Sequence, residues 1–478
     1  MYDFDIIIVG AGISGINFAY RLQERHPELS YCILEGRHEI GGTWSLFQYP
    51  GIRSDSDFYT FGFAWHPWTG KNCLVDGSII RDYIEESAVR AGIDKNIRFL
   101  HRVNRMNWLS SAKTWIFDII TNSIEELTFK SRFVFLGTGY YDYQTPLHTN
   151  IPGLHHFQGE VVHPQFWPVN LNYRDKKIVI IGSGATAVTL LPTLAIEAEH
   201  VTMLQRSPTY IASLPSEGTF EAVILTLLPG SLAAQLIRTK WICFSFIMAS
   251  LCRVFPRVAK AFFLGQTAKL LPSGTNLEPD FVPSYGPWEQ RLCFSPDGDF
   301  YASIKSGKGS VKTGHIQHIS DTTIKLTSGK EIQADIIVTA TGLNISAAGG
   351  IQINIEGKPY DITKKFSWRT AMVEDLPNVV LSWGYADASW TLGADSTAQL
   401  ACRLLAEMKK AKISVIVPQM TAKERCQLEE RRFLSLKATY VMKTGKNLPK
   451  AASQSPWQPR SYFGEISRSH DGVISERD

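Results

Sequence analysis

The chain has 478 residues, 44% hydrophobic and 20% charged, and 49 basic against 45 acidic side chains leave a net charge of +4. That is enough material for about three lobes around sizeable cores, and with no run of like charge it argues against a nucleic-acid groove and for a small-molecule partner. The seven cysteines (Cys32, Cys73, Cys243, Cys252, Cys293, Cys402, Cys426) are scattered and never spaced as CxxC, which argues against a disulfide framework, a zinc site and a redox dithiol.

The N-terminus MYDFDIIIVGAG lacks the basic start, apolar stretch and cleavage site of a secretory signal, so a cytoplasmic, reducing location is expected. Residues 5–9 are mostly Ile and Val, which predicts a strand buried on both faces. It runs into Gly10-Ala11-Gly12-Ile13-Ser14-Gly15 and a helical pattern to Arg25. The next strand, Tyr31–Leu34, is closed by Glu35 and followed by Gly41-Gly42-Thr43-Trp44. Residues 133–136 form a further apolar strand before Gly137-Thr138-Gly139.

The same grammar returns at Lys177–Ile181, with Gly182-Ser183-Gly184-Ala185-Thr186-Ala187 and a helix that meets Pro192. Residues 222–265 are greasy but interrupted by Pro229-Gly230, Arg238, Lys240 and Arg253. The run 241–252 is too short to span a bilayer, which needs about 20 apolar residues. The segment reads as buried or half-buried helices roofing an active site, with contact to a membrane surface or a substrate entrance as the alternative. A last apolar strand, 336–340, ends at Thr341-Gly342, and the tail after Thr439 is expected to wrap the surface or fray.

Each glycine turn has a physical logic. Gly10 permits the tight turn, Gly12 lets backbone approach a pyrophosphate, and Gly15 lets the helix pack on the strand, so that the phosphates meet the positive end of the helix. Glu35 lies about 20 residues past the last glycine, where an acid accepts ribose hydroxyl bonds. In the second unit Ala187 takes the third glycine's place, and Gln205-Arg206-Ser207 stand where the first has Glu35. A carboxylate there would repel a 2'-phosphate, whereas Arg206 can pair with it through a planar fork and Ser207 can donate to it. Gly182, Gly184, Thr186 and Ala187 are then expected to bind the dinucleotide, with Arg206 and Ser207 selecting NADPH over NADH. The expected fold is α/β, with two Rossmann-like dinucleotide-binding domains, the NADPH domain inserted in the first: 1–150 and 331–478 for the first, 151–170 as linker, and 171–330 for NADPH with an apolar helical insertion at about 220–265.

Between the two units, Phe157, Gly159, His163, Trp167 and Pro168 spell FxGxxxHxxxWP in full. With the two fingerprints, the Gly41-Gly42-Thr43-Trp44 element and the stretches YPGIRSDSD, PSYGPWEQR and DASWTLGAD, the chain resembles Baeyer-Villiger and flavin-containing monooxygenases, in a compact branch acting on ketones and thioamides. The resemblance implies FAD on Gly10, Gly12, Ser14, Gly15, Glu35, Thr43, Trp44 and Asp55, and NADPH on the second unit. It implies insertion of one oxygen atom of O2 beside a ketone carbonyl, giving an ester or lactone through a C4a-peroxyflavin. By analogy with the family's Arg–Asp pair, Arg291 and Asp55 are the expected catalytic groups, Arg291 six residues after Tyr285 and Asp55 after the Tyr49-Pro50-Gly51 turn. His163 and Trp167 are expected to fix domain geometry rather than carry protons.

The alternative is N- or S-oxygenation by a C4a-hydroperoxyflavin, whose relatives usually carry Tyr with a basic residue in place of Trp167-Pro168. A disulfide reductase or electron-transfer flavoprotein, and a non-catalytic FAD-fold protein, share the fold and compete less well. The expected partners are a small hydrophobic carbonyl, or sulfur or nitrogen, substrate and O2, with no nucleic acid and with peripheral membrane contact left open.

Overall fold

The computed structural model describes residues 2–122, 125–290, 292–385, 388–434 and 438–461. β1 (Phe4–Val9) is the Ile-rich strand, and three of its residues, Ile6, Ile7 and Ile8, are fully buried because both of its faces are covered. The turn at residues 10–12 leads into α1 (Ile13–Arg25), and β2 (Tyr31–Leu34) returns parallel to β1 with Val9 opposite Leu34. β3 (Ile97–Arg98) extends this edge, while β4 (His101–Leu109), β5 (Thr114–Thr121) and β6 (Glu125–Leu136) make an antiparallel meander. The far end of β6 swings parallel to β1, with Leu136 opposite Val9.

The chain then crosses to a second sheet. β7 (Glu160–Val162), β8 (Lys177–Ile181), α2 (Ala185–Leu194) and β9 (His200–Gln205) come first. Three helices follow, α3 (Thr219–Leu227), α4 (Gly230–Val254) and α5 (Pro256–Leu270), then α6 (Asp299–Lys305), β10 (Gly309–Thr313) and β11 (Ile336–Val338). The sheet order is β10-β9-β8-β11-β7, all parallel. The expected bounds of 171 and 330 fall inside this unit, because β7 and β11 supply one side of its sheet.

After β11 the chain goes back to the first sheet as β12 (Gln352–Ile355), β13 (Lys358–Pro359) and β14 (Val379–Leu381), and α7 (Trp390–Ala411) packs on α1. The first sheet reads β13-β12-β4-β5-β6-β1-β2-β3, with β14 also on β6. Both ends of the chain thus build one α/β unit around an inserted second.

Two expectations are made sharper. α4 runs unbroken for 25 residues, well beyond the 241–252 run, and α3 to α5 are half-buried: α4 and α5 line a cavity with one face and leave another bare to solvent. The tail does not fray before 461: residues 450–452 pair with 430–432, Trp457 is 2% exposed, and Arg460 Nη1 donates to the carbonyls of Trp383 and Gly393 at 3.0 Å each. Apolar burial of Trp457 and two charge-assisted bonds hold what its Lys/Ser/Pro composition left open.

Candidate active site

The two glycine turns are built alike down to the hydrogen bond. Gly10 N donates to Leu34 O and Gly182 N to Leu204 O, each at 2.8 Å, so Glu35 and Gln205 occupy equivalent positions after their strands. Gly10 has φ +98°, and a Cβ on Gly15 would lie 1.9 Å from Gly10 O, so helix α1 sits on the strand end as only glycine allows. A Cβ on Gly182, at φ +141°, would come within 2.2 Å of Ala340 O. Gly184 differs: a Cβ there meets nothing within 4 Å, so open space lies before the N-terminus of the ten-residue α2. Such a helix end suits phosphate.

Glu35 is 8% exposed; its Oε2 accepts from Ala11 N at 2.7 Å and its Oε1 from Arg37 N at 2.9 Å. Burial raises its pKa, against those N–H bonds and the Arg37 charge. Each oxygen keeps lone-pair capacity for a ribose hydroxyl. Gly42 lies against Gly12, and Thr43 Oγ1 shares a 2.9 Å hydrogen bond with the Tyr143 hydroxyl. Buried Ser14 accepts from Trp390 Nε1 at 3.0 Å, and Trp44 packs edge-on against Phe61 at 5.6 Å. These residues fit a flavin dinucleotide: an acid at the strand end, a bare-backbone turn and a helix N-terminus.

Gln205, 3% exposed, points its amide inward, Nε2 donating to Asp280 O at 2.7 Å and Thr313 Oγ1 at 3.0 Å. It leaves no carboxylate where Glu35 stands in the first unit. Arg206 and Ser207 are exposed, with Arg206 Nη2 on Thr439 Oγ1 at 3.0 Å and Ser207 O accepting from Ser183 Oγ at 3.2 Å. Thr186 bonds the Tyr49 hydroxyl, whose pKa burial lifts to about 12. Ala187 is fully buried.

A cavity of about 560 Å³ lies between the units. Its lining includes Asp55, Asp57, Gln290, Leu292, Ser389 and Arg460 together with the aromatic and Met side chains of α4 and α5. Asp55 is thus part of the lining of this space. Arg291 lies outside the described residues; its neighbours Gln290 and Leu292 both line the cavity.

In the linker motif, Phe157 is buried, a Cβ on Gly159 would lie 2.2 Å from Asp335 O, Trp167 is half-buried against the second unit's core, and Pro168 is exposed. His163 Nδ1 accepts from Gln165 N at 3.2 Å, and burial holds the ring below its usual pKa. The proton therefore sits on Nε2 at neutral pH.

Residues 7–217 match the family described as pyridine nucleotide-disulphide oxidoreductase. Over 475 residues the chain is 42% identical to "FAD-containing monooxygenase EthA" of Mycobacterium tuberculosis, covering 99% of this chain and 96% of that one. The chain belongs to the FAD-containing monooxygenases. It is equally similar, 42% over 477 residues with 98% and 95% covered, to "Probable FAD-binding monooxygenase AlmA" of Acinetobacter baylyi. Among solved structures it shares the fold of OTEMO in complex with FAD and NADP (TM-score 0.71, 17% identity, 89% of each chain covered). It shares it also with cyclohexanone monooxygenase from Rhodococcus sp. Phi1 bound to NADP+ (TM-score 0.71, 18% identity, 89% and 87% covered). All seven cysteines are free, five of them buried and Cys243 and Cys426 exposed.

Sequence reasoning passed over the seam between the units. Arg53 Nη1 pairs with Asp299 Oδ2 at 2.5 Å, and a Cβ on Gly51 would lie 2.1 Å from Thr193 Oγ1. The signal was present, since Arg53 and Gly51 belong to the YPGIRSDSD stretch, but their partners are far away in sequence. Trp390 and Tyr143 were passed over for the same reason.

Proposed function

We propose that this FAD-containing monooxygenase inserts one atom of O2 beside the carbonyl of a small hydrophobic ketone, so that ketone, O2, NADPH and a proton give ester or lactone, NADP+ and water. Bound FAD supplies the two-electron step from NADPH and the activation of O2. The observation that carries this reading is the cavity: a chamber of aromatic and aliphatic side chains whose lining includes Asp55 and the neighbours of Arg291.

Gly10, Gly12, Ser14, Gly15, Glu35, Thr43 and Trp44 hold the flavin dinucleotide, and Gly182, Gly184, Thr186, Ala187, Arg206 and Ser207 hold NADPH. Arg291, kept in place by Asp55, stabilises negative charge as it develops on the substrate's carbonyl oxygen, and the apolar walls strengthen that interaction by excluding water. The motif from Phe157 to Pro168 sets how the two units face each other. The absence of disulfides suits a reducing cytoplasm.

The test is a panel of paired ketones and sulfides incubated with NADPH under isotope-labelled O2 and followed by mass spectrometry. Esters or lactones carrying one labelled oxygen are expected. Label appearing in sulfoxides alone would move the assignment to heteroatom oxygenation.

A further inference from the structure

Thirteen of the twenty-four large apolar side chains that stand exposed among the described residues fall between residues 219 and 270, on and between α3, α4 and α5. At the α4–α5 corner Ile247 is 55% exposed, Val254 66% and Val258 68%. The same stretch carries six cations, Arg238, Lys240, Arg253, Arg257, Lys260 and Lys269, and one acid, Glu221. That acid is 1% exposed and takes Lys240 Nζ and Trp241 Nε1 on its Oε1. Arg238, Lys240 and Lys260 are half-buried on protein acceptors, whereas Arg253, Arg257 and Lys269 are exposed with no exposed acid in the stretch, so the outward face is apolar with a positive margin.

α4 is long and apolar enough to cross a bilayer, but its first half is fastened to the first unit. Ala233, Ala234 and Ile237 are buried, and Arg238 Nη1 donates to Tyr59 O at 2.8 Å and Gly62 O at 2.9 Å. A helix so held lies along a surface. The apolar skin is also continuous with the cavity, because Phe244 and Phe262 line it and are still 37% and 54% exposed.

We propose that the α4–α5 corner docks on a lipid bilayer bearing anionic headgroups, and that apolar substrate passes from the acyl layer into the cavity past Phe244 and Phe262. The second half of this rests on the cavity being the substrate site. Apolar residues flanked by cations fit an interface where headgroups are negative. A second copy fits worse: a two-fold contact sets the same patch against itself, so its cations would meet cations.

The FAD-loaded full chain is floated with vesicles of phosphatidylcholine alone and of phosphatidylcholine mixed with phosphatidylglycerol. Wild type is expected to partition about tenfold more onto the anionic vesicles, with salt weakening it. The double substitution Val254→Asp/Val258→Asp abolishes binding, and Arg257→Glu/Lys269→Glu lowers it to the neutral-vesicle level. Both variants keep turnover of a water-soluble ketone and lose about tenfold on a long-chain ketone dissolved in the vesicles. Wild type that ignores both vesicles overturns the proposal. So does a dimer that separates on Val254→Asp/Val258→Asp without any vesicle binding. Vesicle binding without ketone turnover rejects the reaction and lateral delivery, and leaves the docking surface standing.

Discussion

Arg53 and Asp299 join the two units through a paired guanidinium and carboxylate, Nη1 to Oδ2 at 2.5 Å and Nη2 to Oδ1 at 3.3 Å. Arg53 is 11% exposed at its side chain, so solvent screens the pair little. Asp299 also accepts from Ser295 Oγ and Phe300 N, each at 2.7 Å, which fixes the carboxylate before Arg53 arrives. Arg53→Met is therefore expected to lower stability by about 1–3 kcal/mol and to loosen the seam beside Asp55. A looser seam admits water and spills reducing power, so hydrogen peroxide released per NADPH consumed should rise while FAD content stays constant. Unchanged coupling in Arg53→Met would show that the pair is structural only.

Glu35 offers a different test. Its two oxygens face the N–H groups of Ala11 and Arg37, so Glu35→Gln replaces one acceptor by an amide donor that opposes an N–H. The loss of a charge-assisted bond and the clash of donors predict FAD affinity lower by roughly tenfold to a hundredfold. Flavin absorbance of the purified variant, followed by titration with FAD, measures it. Full occupancy at equal affinity would remove Glu35 from the flavin site.

Arg206 should govern the choice of nicotinamide. Gln205 turns its amide into the protein, so Arg206 is the cation that this strand end offers to a 2'-phosphate, beside the Ser207 hydroxyl. Arg206→Ala is expected to raise KM for NADPH by roughly tenfold to a hundredfold and to leave KM for NADH nearly unchanged. Equal rises for both would mean that Arg206 serves the fold or the whole dinucleotide.

Much of this was readable in the sequence because local chemistry forces it. Strand, glycine turn and helix lie within about 20 residues of each other, and the two copies share a register down to Gly10 N on Leu34 O and Gly182 N on Leu204 O. The inserted topology followed from the apolar strands ending at Leu136 and Val338, which carry the chain out of one sheet and back from the other. What hid was non-local. Arg53 and Asp299 are 246 residues apart, and Trp390 meets Ser14 across 376. The bare face of α3 to α5 hid for another reason: composition shows that a helix is greasy, but which side finds a partner depends on packing with Tyr59, Cys73 and Leu74.

His163 is expected to act by position. Its Nδ1 caps the turn at Pro164–Phe166 and burial lowers its pKa, so the ring is a poor proton donor at pH 7. In His163→Ala the motif loses that cap, and reduction of the bound flavin by NADPH should slow while FAD remains in place. Stopped-flow traces that overlay wild type would refute this, and a slowed rate with a strong new pH dependence would argue for a proton-transfer role.

Asp57 makes a prediction about stability and pH. It is 9% exposed and accepts from Thr60 N at 2.7 Å and Thr60 Oγ1 at 2.6 Å, yet burial pushes its pKa from 3.8 up to about 6, against those bonds and the charges of Arg238 and Lys240. The folded state therefore holds the proton more tightly than the unfolded chain. Its contribution to stability is complete below about pH 3.8 and is lost as pH rises through about 6, a change of about 3 kcal/mol. Asp57→Asn keeps an oxygen for Thr60 N and cannot ionise. Its stability relative to wild type should climb between pH 4 and pH 7, as measured by urea unfolding at each pH. A difference that stays level across that window would mean Asp57 ionises in the folded protein as easily as in the open chain.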